Sequence, residues 1–215
     1  MEGNQLKIIF VIDESGSMQG SESDVIGGFN SYIERQRKET VGKLTVSLYK
    51  FNSSVTSVIV NKPIARIKEL NNAHYCPNGF TALYDAIGKA IQETDSQLSS
   101  VPEKLRPDKV LMIIITDGQE NASKEFSSQS IKTLIATHEN LLNWGFVYLG
   151  AGLKDFTDAD LLGLKNRVNN ETPSWKRVFN SVAETCIRYR QSNPKENDDI
   201  MADLVSDLND VKNKK

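Results

Sequence analysis

Five oxygen-bearing side chains stand where strands are predicted to end or a helix to begin. Asp13, Ser15 and Ser17 follow an apolar run at alternate positions. Thr81 precedes a helical pattern, and Asp117 comes directly after a second apolar run. Two carboxylates and three hydroxyls are hard donors, and no thiolate or suitably placed histidine accompanies them. Such donors suit Mg²⁺, Mn²⁺ or Ca²⁺ rather than Zn²⁺ or Cu²⁺.

The spacing within residues 13–17 (DESGS) also fits a ligand role. Alternate residues of an extended chain point the same way, and Gly16 lets the backbone turn tightly into the next helix. A cation held by few direct carboxylates stays electrophilic and seeks an anionic oxygen from outside. We therefore expect a partner protein to offer an Asp or Glu carboxylate to the metal.

Strands and helices that position these residues can be read from the hydrophobic periodicity. Apolar or alternating runs predict strands at 6–12, 44–49, 55–60, 110–115, 146–149 and 167–169. Apolar stripes at helical spacing predict helices at 25–33, 82–97, 131–142 and 159–164, and a last one opened by Pro173. Gly42 is a plausible stop after the first helix.

This order of elements predicts an α/β fold with a mostly parallel, doubly wound sheet and helices on both faces. The segment 52–54 turns one strand directly into the next, so one strand of this hairpin is predicted to run antiparallel at or near an edge. Ligands of such sheets bind beyond the carboxyl ends of the strands. If the strands at 6–12 and 110–115 are neighbours, the five polar residues converge there.

Composition narrows the class of protein. The chain has 215 residues, 39% of them hydrophobic and 25% charged, which fits one ordinary globular domain or a domain with an appendage. A net charge of −2 and the lack of a basic cluster argue against nucleic acid as a partner. No apolar run is long enough for a membrane span, and no secretion signal precedes the first strand. Two cysteines without paired spacing favour a reducing compartment, so we expect a cytoplasmic protein.

The chain divides by composition near residue 191. We assign residues 1–191 to the main domain and residues 192–215 to an acidic, amphipathic C-terminal helix or tail. We interpret this helix as solvated, with packing on the domain or docking on a partner as the alternatives.

Three motifs together resemble a known family. Residues 13–17 (DESGS), 79–81 (GFT) and 116–118 (TDG) look like the metal-ion-dependent adhesion site of von Willebrand factor type A domains. The motifs occur in the family's order, and the resemblance covers roughly residues 6–190. The continuation at 81–87 (TALYDAI) and the strand at 144–150 (WGFVYLG) look typical of compact intracellular members from bacteria and phages.

The resemblance implies a Rossmann-like fold that binds one divalent cation, usually Mg²⁺. It implies that Ser15 and Ser17 ligate through their hydroxyls and that Thr81 ligates directly or through water. Asp13 and Asp117 would hold the shell largely through bound waters. The implied function is a cation-dependent protein-binding adaptor and not an enzyme.

A Mg²⁺-dependent hydrolase of haloacid-dehalogenase-like type is the alternative. Such enzymes place a nucleophilic Asp after the first strand and need an acid/base Asp two residues later, where this chain has Ser15. Several neighbouring polar residues are not interpreted as ligands. Asp85 is expected to cap its helix or to interact with the helix dipole in the first turn. His74 is interpreted as a loop histidine with its own partners, with a place at the rim of the site as the alternative, and His138 as structural or exposed. The remaining residues are expected to border the binding surface or to be solvated: Glu14, Gln19, Glu120 and Asn121.

Overall fold

A computed structural model describes residues 5–40, 42–152, 156–170, 174–191 and 197–209. The strands are β1 (Gln5–Asp13), β2 (Lys43–Phe51), β3 (Val55–Pro63), β4 (Lys109–Thr116), β5 (Trp144–Ala151) and β6 (Arg167–Asn170). The helices are α1 (Glu22–Lys38), α2 (Leu83–Ser99), α3 (Ser128–Leu142), α4 (Thr157–Leu161), α5 (Trp175–Gln191) and α6 (Asn197–Asn209). A turn of 3₁₀ helix, Gly16–Met18, lies between β1 and α1.

The six strands form one sheet in the order β3-β2-β1-β4-β5-β6. All neighbouring pairs are parallel except β2 and β3, and β3 lies at the edge. This confirms the predicted fold class, including the antiparallel edge strand. The chain leaves β1 toward β2 and β3 and later continues from β4 on the other side of β1. The strand order therefore reverses between β1 and β4, where α/β sheets place their ligands.

Alternation along β1 explains how both faces of the sheet are covered. Ile8 and Phe10 belong to an apolar cluster shared with α1, α5 and α6, whereas Ile9 and Val11 belong to a cluster shared with α2, α3 and α4. Successive strand residues point to opposite faces, so a continuous apolar strand has to be buried on both. β1 and β4 are thus rigid central strands, and polar residues at their ends are held in fixed positions.

Several predicted boundaries shift by a few residues. α1 ends at Lys38, four residues before Gly42, and α4 ends at Leu161 and not at residue 164. Pro173, the predicted start of α5, lies outside the described residues, and the described helix begins at Trp175.

The C-terminal helix α6 packs against the domain, so the interpretation of a solvated helix is wrong. Leu204 and Leu208 are 0% and 1% exposed and belong to the same apolar cluster as α1 and α5. Arg188 of α5 also forms an ion pair with Asp203. The apolar stripe of α6 is buried because α5 and the β5–β6 end of the sheet present a matching apolar surface.

Candidate functional site

The five predicted ligand residues lie together beyond the carboxyl ends of β1 and β4. Asp13 is the last residue of β1, and Asp117 directly follows Thr116, the last residue of β4. Ser15 and Ser17 come from the turn after β1, and Thr81 lies just before α2. β1 and β4 pair in register from Leu6 with Lys109 to Ile12 with Ile115, which brings the two strand ends side by side.

Oxygen atoms from three separate segments surround one small volume. The hydroxyls of Ser15 and Ser17 are 3.0 Å apart. A methyl group placed on Gly118 would lie 3.0 Å from Thr81 Oγ1, 3.2 Å from Ser17 Oγ and 3.6 Å from Asp13 Oδ2. The missing side chain of Gly118 therefore leaves open the space that these oxygens face. We call Asp13, Ser15, Ser17, Thr81 and Asp117 the oxygen cluster.

Both carboxyls of the oxygen cluster are desolvated. Asp13 is 0% exposed, and burial raises its pKa to about 6 although hydrogen bonds from Thr116 and Ser15 lower it. The nearby charge of Asp117 raises the Asp13 pKa further, and burial also raises the pKa of Asp117. In the described part of the chain, no Lys or Arg side chain is paired with either carboxyl.

One carboxylate oxygen of Asp117 lacks a hydrogen-bond partner among the described residues. Its Oδ1 is buried and has no hydrogen-bond partner among the described residues. A buried acceptor without a partner costs about 1–3 kcal/mol, and more when it is charged. A hard dication in the gap beside Gly118 would satisfy this oxygen and compensate both carboxylates, so the residues present fit such an ion.

Hydrogen bonds between the loops fix the oxygen cluster. The Gly16 amide donates to Gly79 O at 3.1 Å, and the Asn78 amide donates to Glu14 O at 2.9 Å. The Tyr75 hydroxyl donates to Asp13 O at 2.5 Å. Gly79 has a φ of 77°, which a residue with a side chain adopts only with strain, so this turn depends on glycine.

Asn121, which the sequence predicts at the border of the binding surface, fixes the backbone of Thr81. The Thr81 amide donates to Asn121 Oδ1 at 2.9 Å, and the Asn121 amide donates back to Thr81 O at 3.0 Å. Thr116, whose hydroxyl donates to Asp13 Oδ2 at 2.6 Å, was likewise not among the predicted ligands. Neither role could be found from residue spacing, because both contacts join distant parts of the chain.

The other neighbours do not enter the oxygen cluster. Asp85 lies in the first turn of α2, but its carboxylate accepts the backbone amides of residues 124–126. Glu14 is 5% exposed and pairs with Lys50 at 2.8 Å. His74 is exposed, and its Nδ1 accepts the Asn71 amide. His138 is buried beside Asp95 on the far part of α3.

Among the described residues, no three or more His, Cys, Asp or Glu side chains are grouped as a metal site. The oxygen cluster has only two carboxylates, and hydroxyls make up the rest. Within the same part of the chain, no helix combines the length and the apolar character that crossing a membrane requires.

Comparisons with known proteins agree on one fold. The family model described as von Willebrand factor type A domain matches residues 7–162. No curated protein matches the chain.

Solved structures resemble the chain at low sequence identity. The vWF domain of the type V pili tip protein Mfa5 from Porphyromonas gingivalis has a TM-score of 0.60 at 10% identity, over 89% of this chain and 98% of that one. Manganese-loaded TRAP protein from Plasmodium vivax has a TM-score of 0.52 at 16% identity, over 82% and 71% of the two chains.

Proximal thread matrix protein 1 from the mussel byssus has a TM-score of 0.55 at 16% identity, over 87% of this chain. The match covers 46% of that protein, so the chain corresponds to about half of its length. At these identities the likeness concerns the fold.

Proposed function

The chain belongs to the von Willebrand factor type A family, and we propose that it is a divalent-cation-dependent protein-binding module. The observation that carries the proposal is the buried Oδ1 of Asp117, which has no hydrogen-bond partner among the described residues. The Asp117 carboxylate interacts with the Ser17 hydroxyl and with the Asp13 carboxylate, so it belongs to a group of hard oxygen donors. An atom in this position is explained if the protein works with a cation bound there.

Ser15, Ser17 and Thr81 would hold the cation through their hydroxyls. Asp13 and Asp117 would act largely through waters and balance the charge. The cation would be Mg²⁺, with Mn²⁺ or Ca²⁺ as the alternatives, because the donor set is all oxygen. When bound, the ion supplies an electrophilic centre that attracts an anionic oxygen from outside.

A partner protein would provide that oxygen from an Asp or Glu side chain. Ser17 is exposed, so the oxygen cluster is accessible from solvent. Beside it, the Phe80 side chain is 67% exposed, although its backbone amide is fixed by Ser53 Oγ at 2.9 Å. An exposed aromatic on a rigid loop is a typical contact of a protein interface. These features support recognition of a protein surface.

The hydrolase alternative finds no support in the family model or in the structures compared above. Position 15, where such an enzyme needs an acid/base carboxylate, is a serine whose amide donates to Asp13 Oδ1 at 2.7 Å. We therefore propose a binding function without catalysis. As a further part of this proposal, the chain is a module of the compact type found in bacteria and phages.

We also propose a cytoplasmic location, on the basis of cysteine usage alone. Cys76 is exposed and Cys186 is buried, and neither forms a disulfide. An exposed free thiol is compatible with a reducing compartment.

The experiment for the binding function is capture of partners by immobilised protein in MgCl₂ and in EDTA. The proposal expects a partner that is retained only with the metal and is lost with the double variant Ser15→Ala, Asp117→Ala. Substitution of an acidic residue on that partner should also abolish capture. Partners that bind equally in EDTA, or equally to the double variant, would contradict the proposal.

A further inference from the structure

A pocket opens beside the oxygen cluster, between the first turn of α1 and the loop at 72–78. Its volume is about 790 Å³, enough for a large side chain and part of a backbone. Gln19 and Glu22 line one wall, and Asn72, Tyr75, Cys76 and Asn78 line the other. None of these residues belongs to the oxygen cluster.

The pocket and the oxygen cluster share their supporting hydrogen bonds. Tyr75 lines the pocket, and its hydroxyl donates to Asp13 O. The amides of Cys76 and Asn78 donate to Glu14, one to the side chain at 2.5 Å and one to the backbone at 2.9 Å. A ligand in the pocket therefore lies about one tyrosine length from Asp13, close enough for one peptide to reach both places.

The charge of the pocket comes from one residue. Glu22 is the only charged residue in the lining, and no Lys or Arg lines it. Among the described residues, Glu22 forms no ion pair. The remaining lining side chains are neutral and include the ring of Tyr75, which is 3% exposed. A half-buried carboxylate without a cationic neighbour favours a cationic side chain whose apolar stem lies along the neutral wall.

On the premise that the protein-binding function above is correct, we propose that this pocket receives a Lys or Arg side chain of the same partner segment. The acid of that segment would reach the metal while the basic residue reaches Glu22. An extended peptide advances about 3.3 Å per residue, so the two residues would be about two to four positions apart. The partner motif is thus an acid with a basic residue close by in the sequence.

The test is an array of peptides that carry one fixed Asp and varied neighbours, probed with the full chain in MgCl₂ and in EDTA. The proposal expects metal-dependent binders to be enriched in Lys or Arg two to four positions from the Asp. Glu22→Gln should weaken the selected peptides about tenfold, the size of one partly buried charge pair. Glu34→Gln, which removes the same charge from an exposed position of α1, should leave their affinity unchanged.

Cys76 gives an independent readout in the pocket. It is the exposed thiol of the chain, whereas Cys186 is buried, so alkylation with N-ethylmaleimide reports on the pocket. A selected peptide should slow alkylation of Cys76 in the presence of Mg²⁺ and not in EDTA. Protein already alkylated at Cys76 should still bind Mg²⁺ but bind the peptide more weakly.

The possible results separate the two proposals. If Mg²⁺ binds in calorimetry but the binders show no basic preference, prefer an apolar neighbour, or bind Glu22→Gln unchanged, the pocket proposal is overturned and the metal-dependent function stands. The same holds if Mg²⁺ binds and no peptide does. If calorimetry detects no binding of Mg²⁺, Mn²⁺ or Ca²⁺, the proposed function fails, and the pocket proposal fails with it.

Discussion

The Asp13 carboxylate illustrates how two opposing effects act on one residue of the site. It accepts hydrogen bonds from the Ser15 amide and the Thr116 hydroxyl, and both favour its charged form. Burial and the neighbouring Asp117 charge favour the neutral form and prevail, so the pKa rises to about 6. Because a divalent cation favours the charged form of both carboxyls, this environment is suited to a site that works with a metal.

Gly118 provides the most local prediction. In Gly118→Ala the new methyl group would lie 3.0 Å from Thr81 Oγ1 and 3.2 Å from Ser17 Oγ, inside the space proposed for the cation. We expect the Mg²⁺ affinity, measured by calorimetry, to fall tenfold or more, which corresponds to about 1.4 kcal/mol. Gly118 has no positive φ, so the backbone accepts alanine. The Thr81 and Ser17 hydroxyls must shift by a few tenths of an ångström, so the unfolding free energy without metal should fall modestly.

Gly27→Ala is the matched control for Gly118→Ala. A methyl group there meets no atom within 4 Å, and the residue lies in α1, where alanine stabilises a helix by up to about 1 kcal/mol. Its Mg²⁺ affinity should equal that of the unmodified protein. Equal affinities for Gly118→Ala and Gly27→Ala would contradict the location of the cation.

For single residues, the sequence predicts the candidate metal ligands but not the residues that hold them in place by hydrogen bonds. Asp13 and Asp117 could be found because a polar residue after a continuous apolar run marks the end of a buried strand. Asn121 and Tyr75 act through hydrogen bonds to backbone atoms 40 and 62 residues away. Such contacts depend on how loops meet in space, and residue spacing carries no signal for them.

Among the secondary structure elements, local sequence patterns predict strands and helices, whereas the packing of one element on another depends on distant parts of the chain. The periodicity of β1 and β4 predicted strands buried on both faces, and their pairing brings the site together. Whether the apolar stripe of α6 is covered depends on α5 and the sheet, and an amphipathic pattern alone cannot decide it. In the structure α6 is part of the apolar core, because Leu204 and Leu208 are buried there.

The burial of α6 leads to a prediction for Leu204→Ala. Leu204 is 0% exposed, and removing a buried leucine side chain costs about 2–5 kcal/mol of unfolding free energy. We expect a loss of about 2–3 kcal/mol in urea unfolding, because the helix lies near the end of the described chain. Ser206→Ala, at an exposed position of α6, is the control and should change stability by less than about 0.5 kcal/mol. Similar results for the two variants would mean that α6 does not stabilise the domain.

For the whole molecule, the two ends of the sheet differ in their chemistry. The carboxyl ends of the strands carry the oxygen cluster, whereas the opposite end of β1 buries Lys7. Its ammonium donates to Asn61 Oδ1 and Gln97 Oε1, both at 2.8 Å, and thereby ties β3 and α2 to the central strand. Desolvation lowers the Lys7 pKa to about 8, because no carboxylate compensates the buried charge.

This lysine predicts how overall stability depends on pH. Between pH 8 and 10 the unfolded chain keeps the Lys7 proton and the folded chain loses it, so the unfolding free energy rises with pH. A pKa lowered from 10.5 to about 8 corresponds to a total of about 3 kcal/mol. Urea unfolding at pH 7, 8, 9 and 10 measures the effect. Burial also raises the pKa of Cys186 to about 12 and the pKa of Tyr49 and Tyr75. These groups ionise first in the unfolded chain, from about pH 9 upward, and so oppose the rise there.

Lys7→Met should remove the part of the rise that Lys7 causes, since methionine has no proton to lose, and the difference between the two proteins isolates the contribution of Lys7. Lys62→Met is the control at an exposed position of β3 and should keep it. The same pH dependence between pH 7 and 9 in the unmodified protein and in Lys7→Met would contradict the account of Lys7.

The central claim is that the oxygen cluster binds a hard divalent cation, and thermal unfolding with and without Mg²⁺ tests it most directly. A ligand present at about 100 times its Kd stabilises the folded state by about 2.7 kcal/mol, which raises the Tm of a domain of this size by about 5–10 °C. The account predicts this rise for the unmodified protein and none for the double variant Ser15→Ala, Asp117→Ala. A Tm that is the same in EDTA, MgCl₂ and MnCl₂, or a rise of equal size in the double variant, would contradict it.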